Sequence, residues 1–382
     1  MTRYLWRRAG SIPLTVLLLI TLIWVIIEVQ PGEFAQVYIG NSKISESYRE
    51  RLANDLGLSG PAFLRYLHFV KNIFTANLGV SFSHYPRPVW EILAERLPRT
   101  AVLFLAAFFI QLSLGYLAGR AIGWRREGAL DYSGTIAAAV FWCSFLPLLT
   151  SMLVWVFSMR LGLLPPSKFV NVELLIRHPE VSINRIFSYI IAGGLLLLII
   201  LYGSRRAIAR LARPWVARLP LYLLLAGAVG SLLGLTTTGQ VAWDVLRRMV
   251  LPIITLTLVG GGFYVLLMRD SMAETITEDY VILARAKGLR DRAVRNRHAA
   301  RNALFPIVTS FLLAMAFTLD ASIITESVFS WPGIGLALLE AFMEKDMPLA
   351  IGIMVFLGVV ASFAHLLIDL LYAYLDPRIR NG

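Results

Sequence analysis

An all-α integral membrane protein of about eight transmembrane helices, with both termini in the cytosol, is the fold class this sequence predicts. Three observations predict it. Hydrophobic residues make up 57% of the chain and charged residues 16%, whereas soluble domains hold about 45–50% apolar and about 25% charged residues. Eight apolar segments are long enough to cross the hydrocarbon core, which takes about 20 residues. Lys and Arg concentrate in the short loops between them, as expected for loops that stay inside. The net charge of +12 therefore reads as topology and contact with anionic lipid, not as nucleic-acid binding.

The first segment, Ser11–Ile27, follows Arg3, Arg7 and Arg8. It is longer than a signal-peptide core and no small-residue cleavage site follows, so it reads as an uncleaved first span. A long outer stretch comes next. Its run PAFLRYLHFVKNIF is helical in pattern, and Val89, Ile92, Leu93 and Leu97 place an amphipathic helix ahead of the second span. The remaining spans are Thr100–Ile122, Ile136–Phe157, Ile186–Tyr202, Leu219–Leu235, Leu251–Met268, Phe305–Thr325 and Ala350–Tyr374. Backbone groups in lipid must be satisfied within the segment, so each should be a helix. With the N-terminus inside, the five cytosolic segments hold 21 of the 36 Lys and Arg. Residues 1–95 form the first span and outer segment, 96–373 the core, and 374–382 a cytosolic tail. Cys143 is the single cysteine; it excludes a disulfide within the chain and reads as a buried packing thiol.

Ionisable residues inside spans are costly and point to function by default. Asp320 and Glu326 lie in or beside the seventh span. His365 and Asp369 lie four apart in the eighth, and Gln111 in the second. Two readings stand for Asp320 and Glu326: they line a solute path, or they hydrogen-bond helices together. FSWPGIG at 329–335 carries turn residues and an interfacial Trp. Gly260–Gly262 reads as close helix packing. The sequence has no GxxxxGK[ST] phosphate loop and no HExxH or GxSxG motif, so it shows no catalytic constellation and no metal or cofactor site.

The loop 269–304 stands apart. It carries eight Lys and Arg. Thr277 reads as an N-cap, Glu278 and Asp279 as the first turn, Arg285 and Lys287 as the last, and Gly288 as a left-handed C-cap. A second helix over 291–303 follows, with Pro306 opening the next span. Ala284 and Ala286 carry little bulk, which suits close approach of a partner. Orientation alone needs arginines but no helix–Gly–helix pattern.

This segment resembles the coupling loop of ABC importer membrane subunits, specifically the first permease subunit of the dipeptide/oligopeptide/nickel group. The matching text is DYVILARAKGL, HAARNALFPIVT, ITESVFSWPGIGLALLEAF, MPLAIGI and LLIDLLYAYLDPRIR, with weaker matches in PVWEILAERLPRTAVL and LGLLPPS. In the family signature a Glu often precedes two alanines; here Ile282, Leu283 and Ala284 precede Gly288, and the Glu is absent.

The resemblance implies a type I ABC importer transmembrane domain in the bacterial cytoplasmic membrane, transporting peptides or a related small solute. It implies a six-span core, so 186–235 reads as an inserted helical pair: a peripheral hairpin or a docking site. It implies ATPase coupling through Asp279, Tyr280, Ala284, Arg285, Ala286, Lys287, Gly288, Leu289, Arg295, His298 and Asn302. It implies a path or outer gate at Asp320, Glu326, Phe329, Trp331, Pro332 and Gly333. The implied partners are a second homologous permease, one or two cytosolic ABC ATPases holding ATP and Mg, an extracytoplasmic solute-binding protein and lipid. The rival classes are an ion-gradient secondary transporter, which needs repeats and broken helices around coupling-ion residues, and a membrane-embedded enzyme, for which His365–Asp369 is the nearest pair.

Overall fold

The structure is a computed structural model that describes residues 2–29, 61–125, 128–166, 168–179, 181–194, 237–316 and 318–375. The described residues are helical apart from loops and a single isolated bridge, Val80–Pro88. In chain order the helices are α1 (Thr2–Val29), α2 (Ala62–Phe74), α3 (Val89–Trp124), α4 (Ala129–Trp142), α5 (Leu146–Arg160), α6 (Val172–Arg177) and α7 (183–194). There follow α8 (Thr237–Thr275), α9 (Asp279–Ala286), α10 (291–302), α11 (Phe305–Ala316), α12 (Thr318–Val328), α13 (Ile334–Met343) and α14 (Met347–Leu375).

Among the described residues, four helices are long and apolar enough to cross a membrane: α1, α3, α8 and α14. The expected third span, Ile136–Phe157, is instead a bent pair: α4 and α5 meet at 101°. Pro147 explains the break. It sits in the first turn of α5, with Phe145 before the helix extended at φ −66, ψ 112; had α4 run on, the proline would have had no N–H for the Cys143 carbonyl one turn back and its ring would have crowded that carbonyl. Cys143 caps α4 and is exposed on the chain's surface, not buried as expected. An apolar run shows that a segment avoids water; it does not show which face meets protein. The expected seventh span, Phe305–Thr325, is helical on both sides of residue 317, as α11 and α12. Of the inserted pair, Ile186–Tyr202 is described to residue 194, and Leu219–Leu235 lies outside the described residues.

The spine of the structure is α3 against α8. Gln111, Gly115, Gly119 and Gly123 recur every four residues on α3 and face Gly260, Tyr264, Met268 and Met272 on α8, at the same spacing. A side chain on Gly115 would overlap Tyr264, and one on Gly119 or Gly123 would come within 2.5 Å of Met268 or 2.7 Å of the Arg269 carbonyl. Small residues at this spacing bring helix backbones together, which is how helices associate where lipid is as apolar as leucine. The π-helical turn Gly115–Gly119 lies in this seam. At its lower end Arg269 grips Asp131 of α4 with Nε to Oδ1 at 2.9 Å and Nη2 to Oδ2 at 3.2 Å.

A second layer joins α1, α2 and α14. Ile20, Ile23 and Ile27 pack with Phe69, Ile351 and Val355. Asp346 fixes the start of α14. It is fully buried. Its Oδ1 accepts from the Leu349 amide at 3.2 Å, and its Oδ2 accepts from Ser81 Oγ at 2.5 Å and the Ser83 amide at 2.9 Å.

Candidate coupling surface and outer gate

The two candidate sites sit at opposite ends of α3. Arg99 and Thr100 mark one end and Trp124 the other, 25 residues or about 37 Å apart at 1.5 Å per residue.

At the Trp124 end, α9 and α10 form the compact projection expected around Gly288. Gly288 has φ +73. Its amide donates to the Arg285 carbonyl at 2.9 Å, and the Leu289 amide donates to the Ala284 carbonyl at 3.4 Å. This is a Schellman cap, in which a left-handed residue closes the last carbonyls of a helix. The beginning of the helix differs from expectation. Glu278 is the cap residue, and the Thr277 hydroxyl donates backwards to the Glu274 carbonyl at 2.7 Å. Thr277 thus finishes α8 instead of starting α9.

The faces of α9 also correct the reading of its alanines. Val281 and Ala284 are buried with Met268, Met272, Val294, Ala299, Ala300 and Ile307. Ala284 therefore seats the helix on the bundle, and Ala286 stays exposed. The outward face carries Ile282 (55% exposed), Leu283 (56%), Tyr280 and Leu289, ringed by the exposed Asp279, Arg285 and Lys287. On α10, His298 and Asn302 are exposed, and Arg295 is half-buried with Nε donating to Asn296. Trp124 braces the whole projection. Its Nε1 donates to Asp291 Oδ2 at 3.1 Å, and the Arg285 guanidinium lies 5.1 Å above its ring. Large exposed apolar side chains in a charged rim form a patch suited to a protein partner or a membrane surface.

At the other end, Glu326 of α12 is fully buried. Thr100 Oγ1 donates to its Oε1 at 2.7 Å and the Leu336 amide to its Oε2 at 3.0 Å; the Ile334 amide donates to Thr100 Oγ1 at 2.8 Å. The carboxylate thereby holds the Trp331–Gly335 turn against α3. Gly333 leaves the space: any side chain there would overlap the Glu326 carboxylate. Trp331 is 1% exposed, and its Nε1 donates to the Arg99 carbonyl at 3.2 Å. Arg99 is nearly as buried. It bonds Glu95, Asn184 and the Pro332 carbonyl, with the rings of Phe169 and Phe187 at 5.9 and 6.0 Å. Phe169 and Phe187 stack on each other, and both meet Trp331 edge-on. The start of the expected inserted block is thus packed into this end of the molecule.

Glu326, Trp331, Pro332 and Gly333 come together here. Phe329 packs elsewhere, with Val154 and Leu251. Asp320 lies in α12, and its side chain falls outside the described residues, as does that of Asp369. His365 is exposed, with Nδ1 2.9 Å from the Ala361 carbonyl. Among the described residues, no group of three His, Cys, Asp or Glu could hold a metal ion. Arg99, Thr100, Asp346, Trp124 and Asp291 were not expected as site residues. The local signals were the polar pair Arg99–Thr100 at the mouth of a long apolar run and Asp346 as a cap residue ahead of Met347–Pro348.

Residues 111–381 match the family described as the binding-protein-dependent transport system inner membrane component, and residues 1–104 match the N-terminal part of the corresponding membrane component. The chain belongs to that family. It is a membrane domain of the type I ABC importer class, and its long apolar helices place it in the inner membrane. Among its relatives, the dipeptide transport system permease protein DppB of Lactococcus lactis is 27% identical over 380 residues, covering 100% of both chains. The DppB of Escherichia coli K12 is 27% identical over 387 residues, 100% of this chain and 99% of that one. The di/tripeptide transport system permease protein DppB of Pseudomonas aeruginosa is 28% identical over 387 residues, with the same coverage. This inner membrane component thus shares its full length with transport permeases.

Proposed function

We propose that this chain is one of two membrane subunits of an ATP-driven importer for short peptides. The peptide class is supported by the names of its full-length relatives. The observation that carries the drive mechanism is the outward face of α9. Ile282, Leu283 and Tyr280 offer an apolar contact, and Arg285 and Lys287 add charge-assisted contacts to an acidic partner. Cytosolic ATPases grip this face, ATP with Mg binds and is hydrolysed in them, and the chain itself carries no nucleotide site. Closure of the ATPases displaces α9. Val281 and Ala284 pass the movement to α8, Trp124 passes it to α3, and the glycine seam moves both as one rod. The loop is cytosolic. The Trp331 end faces out, receives the solute-binding protein and serves as the outer gate, and a second homologous permease completes the path.

Gly288 tests the mechanism. No atom lies within 4 Å of where its side chain would be, so a substitution acts through backbone strain alone. Gly288→Val forces a β-branched residue to φ +73, at a cost of about 1–2 kcal/mol, and unseats the cap. In proteoliposomes holding the whole importer, ATP hydrolysis should continue while peptide uptake falls. Normal uptake per ATP would count against the mechanism.

A further inference from the structure

A cavity of about 300 Å³ opens between α3, α4, α8 and α11. Its walls are aromatic: Phe104 and Phe108 from α3, Trp142 from α4, Phe263 and Tyr264 from α8. Trp142 and Phe263 meet at 5.6 Å between ring centres. No charged side chain lines it. Gln111 supplies a polar group. It is 5% exposed, and its Nε2 donates to the Leu256 carbonyl at 2.9 Å. That carbonyl can only accept, so the amide nitrogen must face it. The Oε1 is left as an acceptor, and among the described residues nothing donates to it. Gly260 makes the room: a side chain there would come within 2.6 Å of the Gln111 carboxamide. The bend between α4 and α5 lies beside the cavity, and interrupted helices at membrane depth are tolerated where they line one.

We propose that this cavity is a transit subsite for the apolar side chain of a transported peptide, with Gln111 Oε1 accepting one of the peptide's N–H groups. The inference rests on the importer reading and names where that solute is held within this subunit. Ligand pockets begin at about 300 Å³, so the site takes one side chain with its adjoining amide. An acyl chain would fill the aromatic walls but brings no donor for Gln111. Two of the walls are the helices that carry the drive from α9, so their displacement changes the cavity directly.

The test uses the complete importer with its binding protein in phosphatidylcholine vesicles. An alanyl dipeptide with a diazirine on its leucine-like side chain is illuminated during turnover, and adducts are mapped by mass spectrometry. Adducts in 104–111 and 256–264, competed away by unlabelled Ala-Leu, are expected. Adducts confined to other segments or to the second permease, while uptake proceeds, would overturn the subsite. Labelling of the same segments by a diazirine fatty acid, undiminished by Ala-Leu, would make it a lipid cavity and also overturn it. Failure of the wild-type complex to take up any dipeptide with ATP would sink the peptide reading itself, and the subsite with it. A second arm fills the space with Ala314→Phe. Uptake of Ala-Phe should fall on the order of tenfold more than uptake of Gly-Gly; equal losses would contradict the proposal.

Discussion

The two ends of α3 solve opposite problems. At the Trp331 end, charge is taken inside and every main partner belongs to the same chain. Arg99, Glu326 and Asp346 are buried, and their hydrogen bonds reach residues from 3 to 265 positions away. At the Trp124 end, the charged groups stay exposed and apolar side chains that could have been buried are left outside. The first end is a closed structural knot. The second is an open surface, which in the proposed function a partner completes. One end is fixed architecture and the other an open contact, which suits the outer gate and the coupling surface proposed for them.

Breaking the closed end should cost the most. Glu326→Ala leaves buried donors on Thr100 and Leu336 unmatched, with an expected loss of about 3–5 kcal/mol of folding stability. A large drop in the denaturant midpoint of the purified chain, with poor assembly, would show it. Asp346→Ala removes a buried helix cap and two further acceptor contacts, at about 2–4 kcal/mol; the same assay ranks it below Glu326→Ala. If either variant folded like the parent, the idea of a knot at this end would be wrong.

Effects at the open end should be small in stability and large in transport. Trp124→Phe keeps a ring beneath Arg285 and loses the N–H to Asp291, costing about 0.5–1.5 kcal/mol. Its signature is a lower ratio of peptide uptake to ATP hydrolysed, measured side by side. Ile282→Asp places charge on an already exposed position and should change folding by about 0.5 kcal/mol or less. Its effect belongs to the partner contact.

Much of this was legible in the residues. Periodic apolar runs announced helices, and Gly288 declared its cap, because only a left-handed turn needs glycine between two helical stretches. The inward and outward faces of α9 were also written there: Val281 and Ala284 are three apart and share a side. Ala284 was read for its small size when its spacing was the better guide. Thr277 misled because its hydroxyl can serve the helix behind or the one ahead, and local sequence does not choose. Arg99 was hidden for a different reason. Its Glu95 partner is one turn away, but Asn184 and Pro332 come from distant segments, and only packing brings them together. Asp346 before Met347–Pro348 carried a cap signal, while its partner Ser81 lies in the outer segment. The break at Phe145 was announced by Pro147 and masked by the unbroken hydrophobicity around it.

In the proposed function, α9 is where the partner ATPases take hold. The most direct measurement is co-purification of the ATPases with an Ile282→Asp, Leu283→Asp double variant, together with ATP-driven peptide uptake by the reconstituted complex. The double variant should fold and insert as the parent does, lose its ATPases, and transport at less than about a tenth of the parent rate. Stoichiometric ATPases and uptake at the parent rate would contradict it.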